Sequence, residues 1–284
     1  MSRRTIFDVL NGEIDINEEI FRLELLCYKE VIEGGEEYGY PECSYTLEAF
    51  VNDACLKEWK QRNRCLSCED IRKKLNITDL DIKNKLKGEQ ILIYLEYIAN
   101  MIWLCDEGLS RWKYYWSTQY YKFLKENVFD VINSMNYETR IFEDEEKVIL
   151  VEKNEAATAV AEIIEPELAN EVIQYNHYLM KGNIEGKKRI LKVLADKIEP
   201  MRAEFKKLQK HKELESDIGF LLNKMNIRHN NIKGKNAIDY VKNLSEEEME
   251  NWYDETYQLI LLCILEYDNI ERTKKISELK KNLM

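Results

Sequence analysis

The sequence predicts a mostly α protein, a helical bundle with at most one short β-hairpin. The 284 residues include only ten glycines and three prolines, which disfavours a sheet protein with many tight turns. Apolar residues recur at helical spacing along most of the chain. One stretch alone, residues 139–151, combines β-branched and aromatic residues around a short polar turn.

The first predicted helices lie before residue 80. Residues 17–32 repeat apolar side chains at helical spacing, and a pair of glycines follows as a stop signal. A second helix is expected to begin at Thr46. A third begins at Ser67, whose hydroxyl caps a helix that ends near Asn76.

Two further helical segments, residues 90–103 and 112–135, are crowded with aromatic side chains. At helical spacing such residues usually form a core or a subunit interface, and we favour that interpretation. The alternative is a platform on which nucleic-acid bases stack. The aromatic residues concerned are Tyr94, Tyr97, Trp103, Trp112, Tyr114, Tyr115, Trp116, Tyr120, Tyr121 and Phe123.

The predicted hairpin provides the boundary between two halves of the chain. Residues 139–142 and 147–151 have strand composition, and the acidic turn 143–146 separates them. We therefore expect an aromatic-rich helical region over residues 1–138. A second helical region, with the hairpin at its start, is expected over residues 139–284.

Two long apolar patterns dominate the second half. One face runs from Met201 to Met225. Another belongs to a closing helix that begins with a capping box at Ser245, and the two are expected to pack as neighbours. Pro166 and Pro200 are expected in the first turns of helices, where proline is tolerated.

Charge and cysteine usage limit the classes of partner and compartment. The net charge is −11, yet residues 185–235 carry 14 Lys and Arg against 7 Asp and Glu. This segment is a solvated lysine-rich face or a patch that attracts phosphate. Seven cysteines and no secretory leader favour a reducing cytoplasm, and no apolar run reaches the roughly 20 residues that cross a bilayer.

The candidate site is a polar turn at residues 226–231. Arg228 offers a fixed charge suited to phosphate, and His229 can hold or release a proton near neutral pH. These are the two roles that metal-independent cleavage of RNA requires. Asn226, Asn230 and Asn231 could position them, or the same residues could simply cap helix ends and the turn.

A charged helix, this Arg-His-Asn-Asn turn and a closing apolar helix together resemble the HEPN superfamily of compact helical domains. The resemblance covers about residues 155–280. In that family an arginine, often followed by a polar residue, and a histidine after a short spacer form a metal-independent ribonuclease site across a homodimer. Arg228 and His229 match the first two positions. Lys233, Gly234 and Lys235 stand where the histidine is expected.

The resemblance implies a cytoplasmic homodimer that cleaves or binds RNA, by analogy in phage defence through abortive infection. Cleavage would require His229 to act in a geometry that differs from that of the family, or to face Arg228 from a partner subunit. Otherwise the domain is a degenerate binding module. The resemblance also makes Asn176, His177 and Arg202 candidate neighbours of the site, although an amphipathic helix with a surface histidine explains them equally well.

Other chemistry finds little support in the sequence. Cys65 and Cys68 form only one closely spaced pair, whereas a structural zinc site needs two, so we expect no metal or cofactor. Motifs of phosphate loops, dinucleotide sites and serine esterases are absent. The rival hypothesis is a non-enzymatic interaction protein whose aromatic-rich first half holds a protein partner.

Overall fold

The computed structural model describes residues 15–35, 42–208 and 211–283. Most of these residues are helical, and the strands form two small antiparallel sheets, which confirms the mostly α class with a short hairpin. The chain divides into two compact units, Met1–Leu150 and Val151–Met284. The division falls at the end of the predicted hairpin, which places most of that hairpin in the first unit.

The other elements of the first unit pack around one long helix, α5. Its elements in chain order are α1 (Ile16–Cys27), β1 (Ile32–Gly34), β2 (Cys43–Tyr45), α2 (Leu47–Phe50), a π-helical turn (Val51–Cys55), α3 (Cys68–Leu75), α4 (Asp79–Lys83), α5 (Glu89–Arg111), β3 (Tyr115–Ser117), α6 (Gln119–Ser134), β4 (Tyr137–Phe142) and β5 (Lys147–Glu152).

A three-stranded sheet in the order β2-β1-β3 is an addition to the predicted fold. The predicted helix 17–32 ends at Cys27, and Ile32 pairs with Tyr45 on one side and Ser117 on the other. Gly34 permits this pairing because a Cβ there would lie 2.4 Å from the ring of Tyr115. Pairing with distant strands therefore overrides the local helical pattern.

The predicted helix starts at Thr46 and Ser67 are confirmed, whereas the predicted helical segment 112–135 becomes helical only from Gln119, after strand β3. Thr46 caps α2 by accepting a hydrogen bond from the Ala49 amide at 3.4 Å. Ser67 caps α3 through the Asp70 amide at 3.1 Å. Asn76 ends α3 in the left-handed conformation at φ 56°, as expected of a helix C-cap.

The aromatic residues divide between core and surface. Tyr94, Tyr97 and Tyr121 are buried, as the core interpretation predicted. A second group remains exposed where α5 ends, along β3 and in the first turn of α6. Its members are Trp112, Trp116, Tyr120 and Phe123, with exposed fractions of 36%, 41%, 47% and 42%.

The β4–β5 hairpin confirms the predicted strands, extended to residues 137–142 and 147–152. Asn100 of α5 fixes it by accepting from the Val148 amide at 2.9 Å and donating to the Val148 carbonyl at 2.7 Å. The hairpin turn is a 3-10 segment that ends at Glu146 in the left-handed conformation. The hairpin is thus held firmly against α5.

The second unit is helical. Its elements are α7 (Glu155–Ala161), α8 (Pro166–Tyr175), α9 (Ile184–Leu208), α10 (Lys212–Lys224), α11 (Asp239–Lys242) and α12 (Glu246–Leu283). Pro166 occupies the first turn of α8 as predicted. The expectation for Pro200 is wrong, because it lies inside α9. The apolar face from Met201 to Met225 likewise spans two helices.

Helix α12 is the longest element, and it packs against α9 and α10 as expected. Ser245 begins it with a capping box, since its amide and hydroxyl both donate to Glu248 and its hydroxyl accepts the Glu248 amide. Ile270 is the last buried residue of α12. Every residue from 272 to 283 is exposed, including Ile276, Leu279 and Leu283.

Candidate functional site

The turn at residues 226–231 is closed by two asparagines that bind each other. The Asn226 amide donates to Asn231 Oδ1 at 3.0 Å, and the Asn231 amide donates to Asn226 Oδ1 at 3.2 Å. Both side chains are buried, and Asn226 adopts a positive φ of 58°. These two amides satisfy the backbone of the turn, which is the capping alternative, so neither is free to orient a substrate.

Arg228 is held by helix α9. Its Nη2 donates to Glu199 Oε2 at 2.8 Å and to the Ala195 carbonyl at 3.0 Å. The hydrogen bond from Arg228 lowers the pKa of Glu199, which also accepts from Arg202. The guanidinium therefore already has an anionic partner, and a phosphate would have to compete with this carboxylate.

His229 and Asn230 occupy the exposed side of the turn. Asn230 Oδ1 accepts from the amides of Ile232 at 3.2 Å and Lys233 at 2.9 Å, so it too shapes the loop. His229 is exposed, and no hydrogen bond or ion pair joins it to another described residue. A general base normally has a group that orients its imidazole, and the described residues supply none here.

Of the remaining candidates, His177 and Arg202 are buried within the second unit and Asn176 is partly buried. Asn176 Nδ2 donates to the Tyr257 hydroxyl at 2.8 Å, and its Oδ1 accepts from Asn154. His177 is only 9% exposed and its backbone bridges to Val151, so the surface-histidine alternative is wrong. Asn176 and His177 thus join α8 and the first residues of the second unit to the helical core of that unit.

Arg202 shares Glu199 with Arg228. Its Nη1 donates to Glu199 Oε2 at 3.1 Å, and its Nη2 donates to Glu215 Oε1 at 2.7 Å. The Arg202 side chain is 8% exposed. The structure therefore brings Arg202 and Arg228 to one carboxylate, in an arrangement that ties α9 to α10 and to the turn.

A buried charge cluster in the first unit escaped the sequence analysis. Arg72 donates to Glu24 at 2.6 Å and to Glu48 at 3.1 Å, while the hydroxyls of Tyr94 and Tyr97 donate to the same two carboxylates. Burial lowers the pKa of Arg72, but Glu24 and Glu48 outweigh it and raise that pKa overall. The cluster joins α1, α2, α3 and α5, and its groups satisfy one another.

A cleft with a volume of about 650 Å³ lies in the first unit, between the hairpin turn, α5 and the segment that follows the π-helical turn. Trp59 and Trp103 line it together with five carboxylates and a single cation, Arg111. The indole nitrogen of Trp59 donates to the Glu146 carbonyl at 2.7 Å, which fixes that ring. These residues are dispersed in the sequence, so no local motif marked the cleft.

The cysteines are free thiols. Cys65 and Cys68 are buried, and so are Cys27, Cys55, Cys105 and Cys263. Burial raises the pKa of Cys55 to about 11 and that of Cys68 to about 12. Over residues 15–35, 42–208 and 211–283, no three His, Cys, Asp or Glu side chains are grouped as a metal site would require.

Comparison with known proteins gives no relative, because no protein-family model, curated protein or solved structure matches this chain. Within the part of the chain that the structure describes, no helix combines the length and apolar character needed to span a bilayer. Functional inference therefore depends on the residues of this chain.

Proposed function

We propose that this chain is a non-enzymatic interaction protein whose first unit binds a protein partner through its exposed aromatic residues. The observation that carries the proposal is the exposed group Trp112, Trp116, Tyr120 and Phe123, hereafter the aromatic surface. Tryptophan and tyrosine are enriched among the residues that dominate binding energy at protein interfaces. Tyr120 and Phe123 lie three residues apart on α6 and therefore share one face of that helix. Contiguous exposed apolar surface marks interaction sites.

The geometry of the Arg228 turn supports a structural role for it. A ribonuclease of the HEPN type needs a guanidinium that can stabilise charge on phosphorus as the bond breaks. Glu199 and the Ala195 carbonyl already occupy Arg228 Nη2. Asn226 and Asn231 are hydrogen-bonded to each other. The exposed His229 alone does not supply a catalytic pair.

RNA binding without cleavage is a second candidate. Exposed cationic side chains surround the same turn, namely Lys224, Lys233 and Lys235, with His229 beside them. Such a patch attracts a phosphate backbone without any catalytic geometry. The HEPN-like resemblance then describes a degenerate binding module, as the missing downstream histidine would suggest.

The protein partner to test first is a second copy of the chain. Light scattering after size exclusion measures the mass of the wild type and of the Tyr120→Ser, Phe123→Ser double variant. Lys122→Ser with Glu126→Ser, exposed on the same helix, is the matched control. We expect the wild type and the control to be dimers. The dissociation constant of the dimer should be at least about tenfold higher for the aromatic variant. A monomeric wild type would contradict self-association as the mode of binding.

A cleavage assay tests the non-enzymatic part of the proposal. Purified protein is incubated with transfer RNA and a chelator, and the products are examined for cyclic phosphate ends. We expect no cleavage by the wild type or by Glu199→Gln, which removes the anionic partner of Arg228. Cleavage by the wild type that His229→Ala abolishes at an unchanged melting temperature would refute the proposal and restore the ribonuclease hypothesis.

A further inference from the structure

The cleft of the first unit has the dimensions of a ligand site. Its volume of about 650 Å³ lies within the roughly 300–1,000 Å³ of small-molecule sites. Its walls are rigid, because Asn100 fixes the hairpin to α5 and Trp59 donates to the Glu146 carbonyl. Gln61 adds a hydrogen bond to the Glu145 carbonyl at 2.6 Å. The cleft is therefore formed before any ligand arrives.

The charges of the cleft favour a cation. Three of its five carboxylates have cationic partners: Glu58 pairs with Arg111, Asp106 with Lys125 and Glu146 with Lys60. The side chains of the other two, Glu107 and Glu143, make no hydrogen bond or ion pair with any described residue. A concave site lined by carboxylates concentrates positive counter-ions.

The apolar walls favour an organic cation over a bare metal ion. The rings of Trp59 and Trp103 and the side chains of Leu104 and Ile141 line the same space. Aromatic faces attract ammonium groups, and aliphatic side chains contact methylene groups. Among the described residues no three carboxylates are grouped closely enough to share one metal ion.

We propose that this cleft binds a linear alkylammonium group, with methylenes against Trp59 and Trp103 and ammonium nitrogens at Glu107 and Glu143. Two sources carry this chemistry: a free polyamine, and a lysine side chain presented by a peptide. No residue that lines the cleft belongs to the aromatic surface, and the proposal does not depend on self-association of the chain.

Calorimetric titration of the full chain with spermidine at fixed ionic strength tests the proposal. Glu107→Gln with Glu143→Gln weakens binding about tenfold or more, because both unpaired charges are removed. Glu30→Gln with Glu89→Gln, exposed carboxylates of the same unit outside the cleft, is the matched control and leaves the affinity unchanged. The four side chains are exposed, so each double variant is expected to fold.

A variant that is expected to bind spermidine more tightly distinguishes an electrostatic effect from simple damage to the cleft. Arg111→Met removes the only cation among the described residues that line the cleft, so spermidine binds severalfold more tightly. Arg111 is about half exposed, which makes the substitution tolerable. Weaker binding by Arg111→Met would contradict an electrostatic site for cations.

Two further titrations complete the test. A capped tri-lysine peptide that binds more tightly than spermidine identifies a peptide side chain as the source, and the reverse order identifies a free polyamine. Mg²⁺ binding as strong as that of spermidine overturns the proposal, since the cleft would then merely collect counter-ions. Absence of binding by both spermidine and the peptide overturns it as well.

Discussion

Replacing Arg72 with methionine should destabilise the first unit severely. The substitution keeps an apolar side chain of similar length but removes the guanidinium that neutralises Glu24 and Glu48. Glu24 is the critical partner because its side chain is 6% exposed, whereas that of Glu48 is 25% exposed and can be hydrated. After the substitution, the hydroxyl of Tyr94 is the one hydrogen-bond partner that the Glu24 side chain keeps among the described residues.

The magnitude follows from the burial of both charges. Removing one partner of a buried ion pair costs about 3–5 kcal/mol. For a unit of this size each kcal/mol lowers the melting temperature by about 2–4 °C, so the expected loss is about 6–20 °C. Lys73→Met is the matched control: Lys73 forms an exposed pair with Glu69, and no measurable change is expected.

Urea unfolding followed by tryptophan fluorescence measures this loss on the full chain. Four of the five tryptophans lie in the first unit, which weights the signal toward it. Glu24→Gln added to Arg72→Met removes the buried charge and should recover part of the loss. A change below about 1 kcal/mol for Arg72→Met would refute the view that the cluster holds the unit together.

Two other outcomes follow from the same structure. Arg228 lowers the pKa of Glu199 in the folded chain. The ionised carboxylate therefore stabilises the folded state at pH values above the unfolded pKa of Glu199, and this stabilisation is lost as the pH falls through the folded pKa. Glu199→Gln should therefore lose less stability than the wild type when the pH is lowered below about 4.5. The measurement is the urea midpoint of unfolding at a series of pH values. An unchanged pH dependence would contradict a stabilising ion pair between Arg228 and Glu199. Gly108→Ala should cost about 1–3 kcal/mol in urea unfolding, because its Cβ would lie 2.8 Å from Cys55 Sγ and 2.8 Å from Phe50 Cε1. A neutral Gly108→Ala would mean that α5 can move away from the π-helical turn.

The parts of the fold that the sequence predicted are those governed by near neighbours. The caps at Ser67 and Ser245 depend on residues three positions away, and both are confirmed. The strands around residues 143–146 follow from local composition and alternation. The end of α1 at Cys27 was missed because β1 is fixed by partners on β2 and β3.

The candidate site was predictable only as a turn between helices. Sequence composition placed Arg228 and His229 there, but the carboxylate that binds Arg228 lies 29 residues earlier on α9. The cleft was harder still, because its walls come from the segment after the π-helical turn, from α5 and from the hairpin. Residues such as Trp59 and Glu146 meet across 87 positions, a separation that no local pattern reports.

The solvent-exposed end of α12 has a consequence for handling the protein. A helix end of about twelve residues whose side chains are all exposed has little packing to stabilise it, so residues 272–283 should unwind often. Arg272, Lys274 and Lys275 are then open to trypsin. Brief digestion should cleave after Arg272, Lys274 and Lys275, and the species trimmed there should keep the melting temperature of the intact chain.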